Sequence, residues 1–312
     1  MIHSILHPLK RLIRYLTSGW RYKALNSLLF ILTPAVIGLI LWREWETLVQ
    51  IDWQIKPRSL TASFLLLLLD MLLGAFIWHI IIRKLTGASK AQQNIKIWWY
   101  SNLARRIPTP VWYIASRSIM YKKQGISERD VSLASGLEFA LIFASGVVVF
   151  VLTLPFWSVF EITANQSNQL WLIIPLFGLS ILLMHPRLIS RIWRSVASDP
   201  ITTTISWKDS IQWILGYLVV WSVGGVVFYF LIDAFYPIGI QYLIPSIGMW
   251  ALGSIASMLG SLFFFVGALR EISIILLLSY LMPLPVAIAI GILLRLLWLL
   301  GELVTAILSI FL

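Results

Sequence analysis

The chain contains several uninterrupted apolar runs of about 18–25 residues, each long enough for a helix to cross roughly 30 Å of hydrocarbon. Within these runs the apolar residues are continuous rather than alternating, which predicts helices and not barrel strands. With 59% hydrophobic residues, a soluble domain would have too little interior to bury them. We therefore predict an all-α, polytopic membrane helical bundle. The runs lie at residues 24–42, 60–82, 131–154, 170–184, 210–232, 242–266 and 285–311.

The connections between the runs predict how the chain is oriented. Segments 1–24, 83–96 and 185–209 are rich in lysine and arginine, whereas 155–169 and 233–241 contain neither. Because basic connections stay in the cytoplasm, we expect the first group inside and the second outside. The protein is accordingly predicted to be multi-pass in the cytoplasmic (inner or plasma) membrane, with a cytoplasmic N-terminus.

The N-terminal residues differ in character from the rest of the chain. In residues 1–24, basic side chains alternate with apolar side chains at helical spacing. This pattern predicts a basic amphipathic leader on an anionic leaflet. The remaining residues, 25–312, are predicted to form a single membrane domain.

Composition and motifs argue against several functional classes. The net charge of +11 is explained by the topology signal, so nucleic-acid binding is not expected. The chain has no cysteine and only four scattered histidines, so we expect no metal site. Phosphate-loop, dinucleotide and serine-hydrolase motifs do not occur. We therefore expect no cofactor, no catalytic residue and no ATP-driven step.

The stretch 105-RRIPTPVWYIASR-117 places charges and prolines inside an otherwise apolar region. Segment 94–121 is too short for two crossings, and both of its flanks look cytoplasmic. We therefore predict a re-entrant hairpin that turns near Pro108 and Pro110, since proline breaks a helix and such backbone needs a protein or wet surrounding.

A similar unit follows later in the chain, where 242–281 lies between flanks without basic residues. It suggests an inverted repeat with halves 60–154 and 210–311, the usual architecture of alternating-access transporters. Two arrangements stay open at this point: about six full spans plus two re-entrant hairpins, or eight plain spans.

Ionisable side chains at bilayer depth cost about 2.5–3.5 kcal/mol each, so their presence calls for an explanation. Arginine is the bidentate, permanently charged donor that suits phosphate. Arg105, Arg106 and Arg117 are therefore predicted to form a phosphate-binding surface on the first hairpin. Alternatively, Arg105 and Arg106 only extend to the cytoplasmic headgroups.

Further charges lie within or at the ends of other apolar runs. Arg295 and Glu302 are seven residues apart on one predicted helical face, and we expect them to pair. Asp70 is alone in its run and is expected to have a packing role, or a weaker role as a proton site. The others are Glu138, Arg270 and Glu271.

The order and spacing of these residues resemble the membrane region of lysylphosphatidylglycerol synthase, a family that includes stand-alone flippase-like proteins. Where that family has proline and then glycines before its Arg-Glu pair, this chain reads 263-FFFVGALRE-271. The resemblance rests on Asn102, Arg106, Pro108, Thr109, Val111, Trp112, Arg117, Lys123, Gly125, Ile126, Ser127, Glu138, 185-HPRLISRIW-193, Trp221, Gly224, Gly225, Trp250, Arg270, Glu271, Pro285, Ala289, Arg295 and Glu302.

The resemblance implies a lipid translocase for a phosphate-bearing lipid, passive or ion-coupled. It implies the translocating half only, because no aminoacyl-transferring domain follows. The residues expected to receive the phosphate are Arg105, Arg106 and Arg117 from the cytoplasmic side, and Arg270 and Arg295 from the outer half. The acids expected to balance them, or to meet a cationic headgroup, are Glu138, Glu271 and Glu302.

Two other functions stay open. The chain is alternatively a non-catalytic membrane partner of a separately encoded lipid synthase or glycosyltransferase. It is otherwise a membrane-embedded, lipid-modifying enzyme. The predicted external connection 155–169 offers only Glu161 as an acid, which argues against the enzyme.

Overall fold

The computed structural model describes residues 55–103, 111–160, 173–196, 205–263 and 269–312, together with positions 42, 46, 49 and 53. These residues are mainly helical and include no strand, which confirms the all-α prediction. Several predicted features lie outside the described residues: the leader 1–24, nearly all of the run 24–42, Arg105, Arg106, Pro108 and Pro110.

Ten α-helices are found in the described ranges. They are α1 Pro57–Thr86, α2 Ala91–Leu103, α3 Val111–Lys122, α4 Glu128–Thr153, α5 Ile173–Leu183, α6 Pro186–Val196, α7 Trp207–Phe235, α8 Leu243–Phe263, α9 Leu269–Leu278 and α10 Leu284–Leu308. Short 3₁₀ turns at Leu154–Phe160, Ile240–Tyr242 and Ser309–Phe311 extend or precede them.

Five segments of the described chain are long and apolar enough to cross a membrane: Pro57–Thr86, Glu128–Trp157, Trp207–Phe235, Ile240–Gly260 and Leu284–Phe311. By contrast, α2 and α3 have 13 and 12 residues, fewer than the about 20 that a crossing needs. They pack against each other, as the arms of the first predicted hairpin should. In the second unit only α9 is this short, with 10 residues, while α8 has 21. The number of full spans stays a prediction.

Helix ends follow local sequence signals. At the start of α7, Ser206 and Asp209 form a capping box: the Asp209 N–H donates to Ser206 Oγ (3.3 Å), and the Ser206 N–H donates to Asp209 Oδ2 (2.8 Å). Helix α1 begins at Pro57, where the missing N–H is not needed. It ends at Thr86 and is followed by the C-cap Gly87, whose φ of +76° is open to glycine at little cost.

The helices α1 and α7 run antiparallel at the centre of the bundle. Lys56, the N-cap of α1, places its Nζ 2.8 Å from Oδ1 of Asp233 near the end of α7. At the opposite end, Lys84 Nζ lies 3.1 Å from Oδ2 of Asp209 in the first turn of α7. Each ion pair joins the start of one helix to the end of the other, so the two helices have opposite directions.

The order of helices in α1–α4 recurs in α7–α10: a long helix, two that pack as neighbours, and a second long helix. The correspondence extends to positions counted from the first residue of each helix. Gly74 is the eighteenth residue of α1 and lies against Trp98, the eighth of α2. Gly224 and Trp250 have the same positions and the same contact in α7 and α8. An inverted repeat would have this recurrence and antiparallel first helices, and the inverted halves 60–154 and 210–311 stay a prediction.

Large apolar side chains cover the outer faces of the long helices. On α1, Leu65, Leu69 and Phe76 are exposed, and on α7, Leu215 and Val219 are exposed. Water would penalise such contiguous apolar surface, whereas lipid tails would not. The outer surface is therefore that of a membrane-embedded bundle.

Candidate functional site

A charged pair lies at the centre of the first four helices. Nη1 of Arg117 on α3 donates to Oε2 of Glu138 on α4, and both side chains have 0% exposure. Burying two charges is costly, and only close pairing with further hydrogen bonds offsets the desolvation. The surroundings of the pair therefore decide whether it is stable.

The position of Glu138 follows from the periodicity of α4. Ala134 and Leu141, four residues before and three residues after it, are both fully buried. Because residues three and four apart share one helical face, the carboxylate is directed into the bundle and not toward lipid.

The second oxygen of Glu138 accepts two more hydrogen bonds. Trp98 Nε1 on α2 donates to Oε1 over 2.8 Å. Tyr217 OH on α7 donates to the same oxygen over 3.3 Å. The carboxylate therefore joins four helices, and neutral donors stabilise its negative charge on the side away from the arginine.

Arg117 also has contacts beyond Glu138. Its Nε donates to Ser101 Oγ over 2.8 Å, and its Cζ lies 4.2 Å from the centroid of the Trp78 ring. This distance gives a cation–π interaction that desolvation strengthens. The remaining nitrogen, Nη2, has no hydrogen-bond partner among the described residues. A buried donor without an acceptor is unfavourable, and it marks a place where a ligand oxygen would be stabilised.

A chain of hydrogen bonds continues from Trp78 toward the end of α1. Trp78 Nε1 donates to Tyr121 OH, which donates to Asn94 Oδ1, both over 2.9 Å. Asn94 Nδ2 lies 2.9 Å from His79 Nδ1 and donates to it. The ion pair is thus one end of a continuous polar network in an otherwise apolar interior.

The predicted site residues of the second half are arranged differently. Arg270 on α9 is half-buried, with its Cζ 5.3 and 5.7 Å from the ring centroids of Trp250 and Trp298. These two rings stack at 4.4 Å. Glu271 belongs to α9, but its side chain is outside what the structure describes.

The expected ion pair between Arg295 and Glu302 is wrong. Glu302 is buried, at 9% exposure, whereas Arg295 is exposed. Among the ion pairs of the described residues none joins them. Seven residues correspond to about 10 Å of helical rise, and the two side chains do not bridge that distance.

Asp70 lies half-buried in the middle of α1. Its Oδ1 has no hydrogen-bond partner in the described part of the chain.

Of the predicted site residues that the structure describes, Arg117 and Glu138 are brought together. Asp70, Arg270 and Arg295 are not joined to this pair by any described contact.

Sequence reasoning missed most of the network around the pair. Asn94, Trp98 and Ser101 were not assigned a role, although spacings of four and three residues place them on one face of α2. This row of side chains on one helical face could have been recognised in the sequence. No sequence pattern indicated the contact of Tyr217 with Glu138, because the two residues are 79 positions apart in the chain.

No protein-family model, curated protein or solved structure matches the chain. The resemblance to the membrane region of lysylphosphatidylglycerol synthase therefore stays a hypothesis, which rests on the motifs quoted above.

Proposed function

We propose that this chain is an integral membrane lipid translocase, flippase-like, for a phosphate-bearing lipid, and that movement is passive or ion-coupled. One observation carries the proposal: Arg117 is completely buried, is paired with Glu138, and still has an Nη2 without a partner among the described residues. A purely structural arginine would be expected to have all of its donors satisfied.

The chemistry of the pair fits a phosphate ligand. The guanidinium presents parallel N–H groups that bind two oxygens of one anion. In the structure Glu138 takes one of these positions and neutralises the charge. An incoming phosphate would take Nη2 and then compete with Glu138 for Nη1. The carboxylate would keep its bonds from Trp98 and Tyr217 while the arginine changes partner.

Neighbouring charges extend the proposed path. Arg105 and Arg106 stand in the chain directly between α2, which carries Ser101, and α3, which carries Arg117. In the proposal they make the first contact with a headgroup from the cytoplasmic side. In the other half, Arg270 and Arg295 would contact the phosphate. Glu271 would balance Arg270 or meet a cationic headgroup, and Glu302, which does not pair with Arg295, would meet a cationic headgroup.

A shared feature of the two halves supports this division. Arg117 lies over Trp78, and Arg270 lies beside Trp250. In each half an arginine thus lies against an aromatic face, which favours a cation at that place.

The test is leaflet exchange in proteoliposomes that contain the full chain. Labelled phosphatidylglycerol, lysyl-phosphatidylglycerol and a polyprenyl phosphate are compared with a diglucosyl-diacylglycerol, a reference lipid whose headgroup carries no phosphate. We expect faster exchange of at least one phosphate-bearing lipid with the wild type, and loss of it in Arg117→Leu. Lys90→Gln, a change at an exposed cation, is the control and should behave as the wild type. Exchange at the protein-free rate for all lipids would contradict the proposal and favour the non-catalytic partner.

A further inference from the structure

A groove of about 220 Å³ lies between α4, α5 and α6. Its walls are almost entirely apolar and include Leu133, Leu137, Leu183, Leu188 and Ile192. Gly136 also lines the groove, and a Cβ at this position would meet no atom within 4 Å. The groove therefore has room for hydrocarbon, and none of the described residues that line it carries a charge.

The groove is separate from the buried ion pair. Glu138 lies on the buried face of α4 with Ala134 and Leu141. Gly136 and Ala140, which line the groove, are each two residues from Glu138, about 200° around the helix. The groove and the ion pair are therefore on different faces of α4.

Helix α6 places cations beside the groove. Its Pro186, Ile189 and Trp193 are buried, and its arginines at 187, 191 and 194 are all exposed. Arg191 follows Leu188 by three residues, so it lies one turn from a groove-lining side chain. The sequence has no acidic residue between Leu170 and Ser198, so nothing in this segment neutralises the three charges.

We propose that the groove binds an acyl chain of an anionic phospholipid whose phosphate contacts the exposed arginines of α6, with Arg191 at the centre. Apolar walls exclude the headgroup from the groove itself, and the adjacent cations favour a headgroup with net negative charge. A zwitterionic lipid fits the same walls without that electrostatic gain. The site goes beyond the proposed translocation and does not depend on it.

The experiment uses the purified full chain in phosphatidylcholine nanodiscs that contain a few mole per cent of a photoreactive lipid. The lipid is either phosphatidylglycerol or phosphatidylcholine with a diazirine on one acyl chain. After irradiation, adducts are mapped by mass spectrometry. We expect several-fold more adducts from phosphatidylglycerol on residues 132–140 and 188–193, and equal labelling by the two lipids on α10.

Two variants separate the headgroup from the acyl chain. Arg187→Gln, Arg191→Gln and Arg194→Gln together should reduce phosphatidylglycerol labelling to the phosphatidylcholine level. The matched control removes three exposed cations elsewhere, at Lys90, Lys123 and Lys208, and should keep the preference. Gly136→Leu should reduce labelling by both lipids, because the side chain fills the groove.

Equal labelling by the two lipids in the wild type, or a preference that survives the triple arginine variant, would overturn the proposal. Either result is read from the positions of the adducts and does not involve lipid exchange. Failure of this proposal and failure of the translocase proposal are thus distinguishable.

Discussion

Glu138 on α4 and Tyr217 on α7 are joined by a hydrogen bond of 3.3 Å from the tyrosine OH to the carboxylate Oε1. The first residue belongs to the predicted half 60–154 and the second to 210–311. The ion pair that Glu138 forms with Arg117 is therefore linked to the relative position of the two halves. A shift of α7 would remove one of the donors that stabilise the carboxylate.

The first prediction concerns this linkage. Tyr217→Phe removes the hydroxyl and leaves the ring, so it should lower the free energy of unfolding by about 1.5–3 kcal/mol, the range for bonds to charged groups. Equilibrium unfolding in mixed detergent measures it. Tyr280→Phe, at a site 67% exposed, is the control and should be silent. If Tyr217→Phe does not change the free energy of unfolding, then Trp98 and Arg117 alone are enough to stabilise the Glu138 carboxylate.

The second prediction is a double-mutant cycle on the buried pair. Arg117→Leu and Glu138→Leu should each cost about 3–5 kcal/mol, because each leaves an uncompensated buried charge. The double variant should be clearly more stable than either single variant. Thermal unfolding monitored by size-exclusion chromatography measures all four proteins. Additive losses would contradict a coupled pair.

The third prediction separates charge from geometry at Arg117. Arg117→Lys keeps the charge opposite Glu138 but loses the fork of N–H groups, so the protein should fold and lose most of its lipid exchange. If Arg105 only reaches to the lipid headgroups, Arg105→Lys should change the rate of lipid exchange only slightly. If Arg117→Lys exchanges lipid as the wild type does, while Pro108→Ala alone abolishes exchange, the segment acts as a hinge and the substrate site lies elsewhere.

The fourth prediction tests the antiparallel packing of α1 and α7. Ser59 Oγ donates to Asp233 Oδ2 over 2.7 Å, and the chain has no cysteine. Ser59→Cys with Asp233→Cys should form a disulfide on mild oxidation, detected as a linked peptide pair. Ser59→Cys with Asp209→Cys should not, because α1 with its 30 residues is about 45 Å long. A disulfide between positions 59 and 209, with none between 59 and 233, would mean that α1 and α7 run parallel.

The fifth prediction concerns topology. Residues 1–24, 122–130 and 185–209 are expected in the cytoplasm, and 155–169 outside. Single cysteines introduced into these segments are treated in intact cells with an impermeant thiol reagent. Only those in 155–169 should react before permeabilisation. Labelling of 122–130 from outside would exclude a re-entrant hairpin over 94–121.

Much of the fold could be predicted because it depends on neighbouring residues. Apolar runs of sufficient length form helices in lipid, where the backbone must satisfy its own hydrogen bonds. The inward direction of Glu138 follows in the same way from the residues three and four positions away. The costs of charge at membrane depth also identified Arg117 and Glu138 as residues that need an explanation.

Which residues contact each other was decided by tertiary packing. Arg117 pairs with Glu138, whereas Arg295 does not reach Glu302, although the sequence indicated the second pair and left the first open. Helical period determines which face a side chain is on, but not which helix lies opposite. That depends on close approach at small residues such as Gly74 and Gly224, where the ring of a tryptophan fills the space that a Cβ would need.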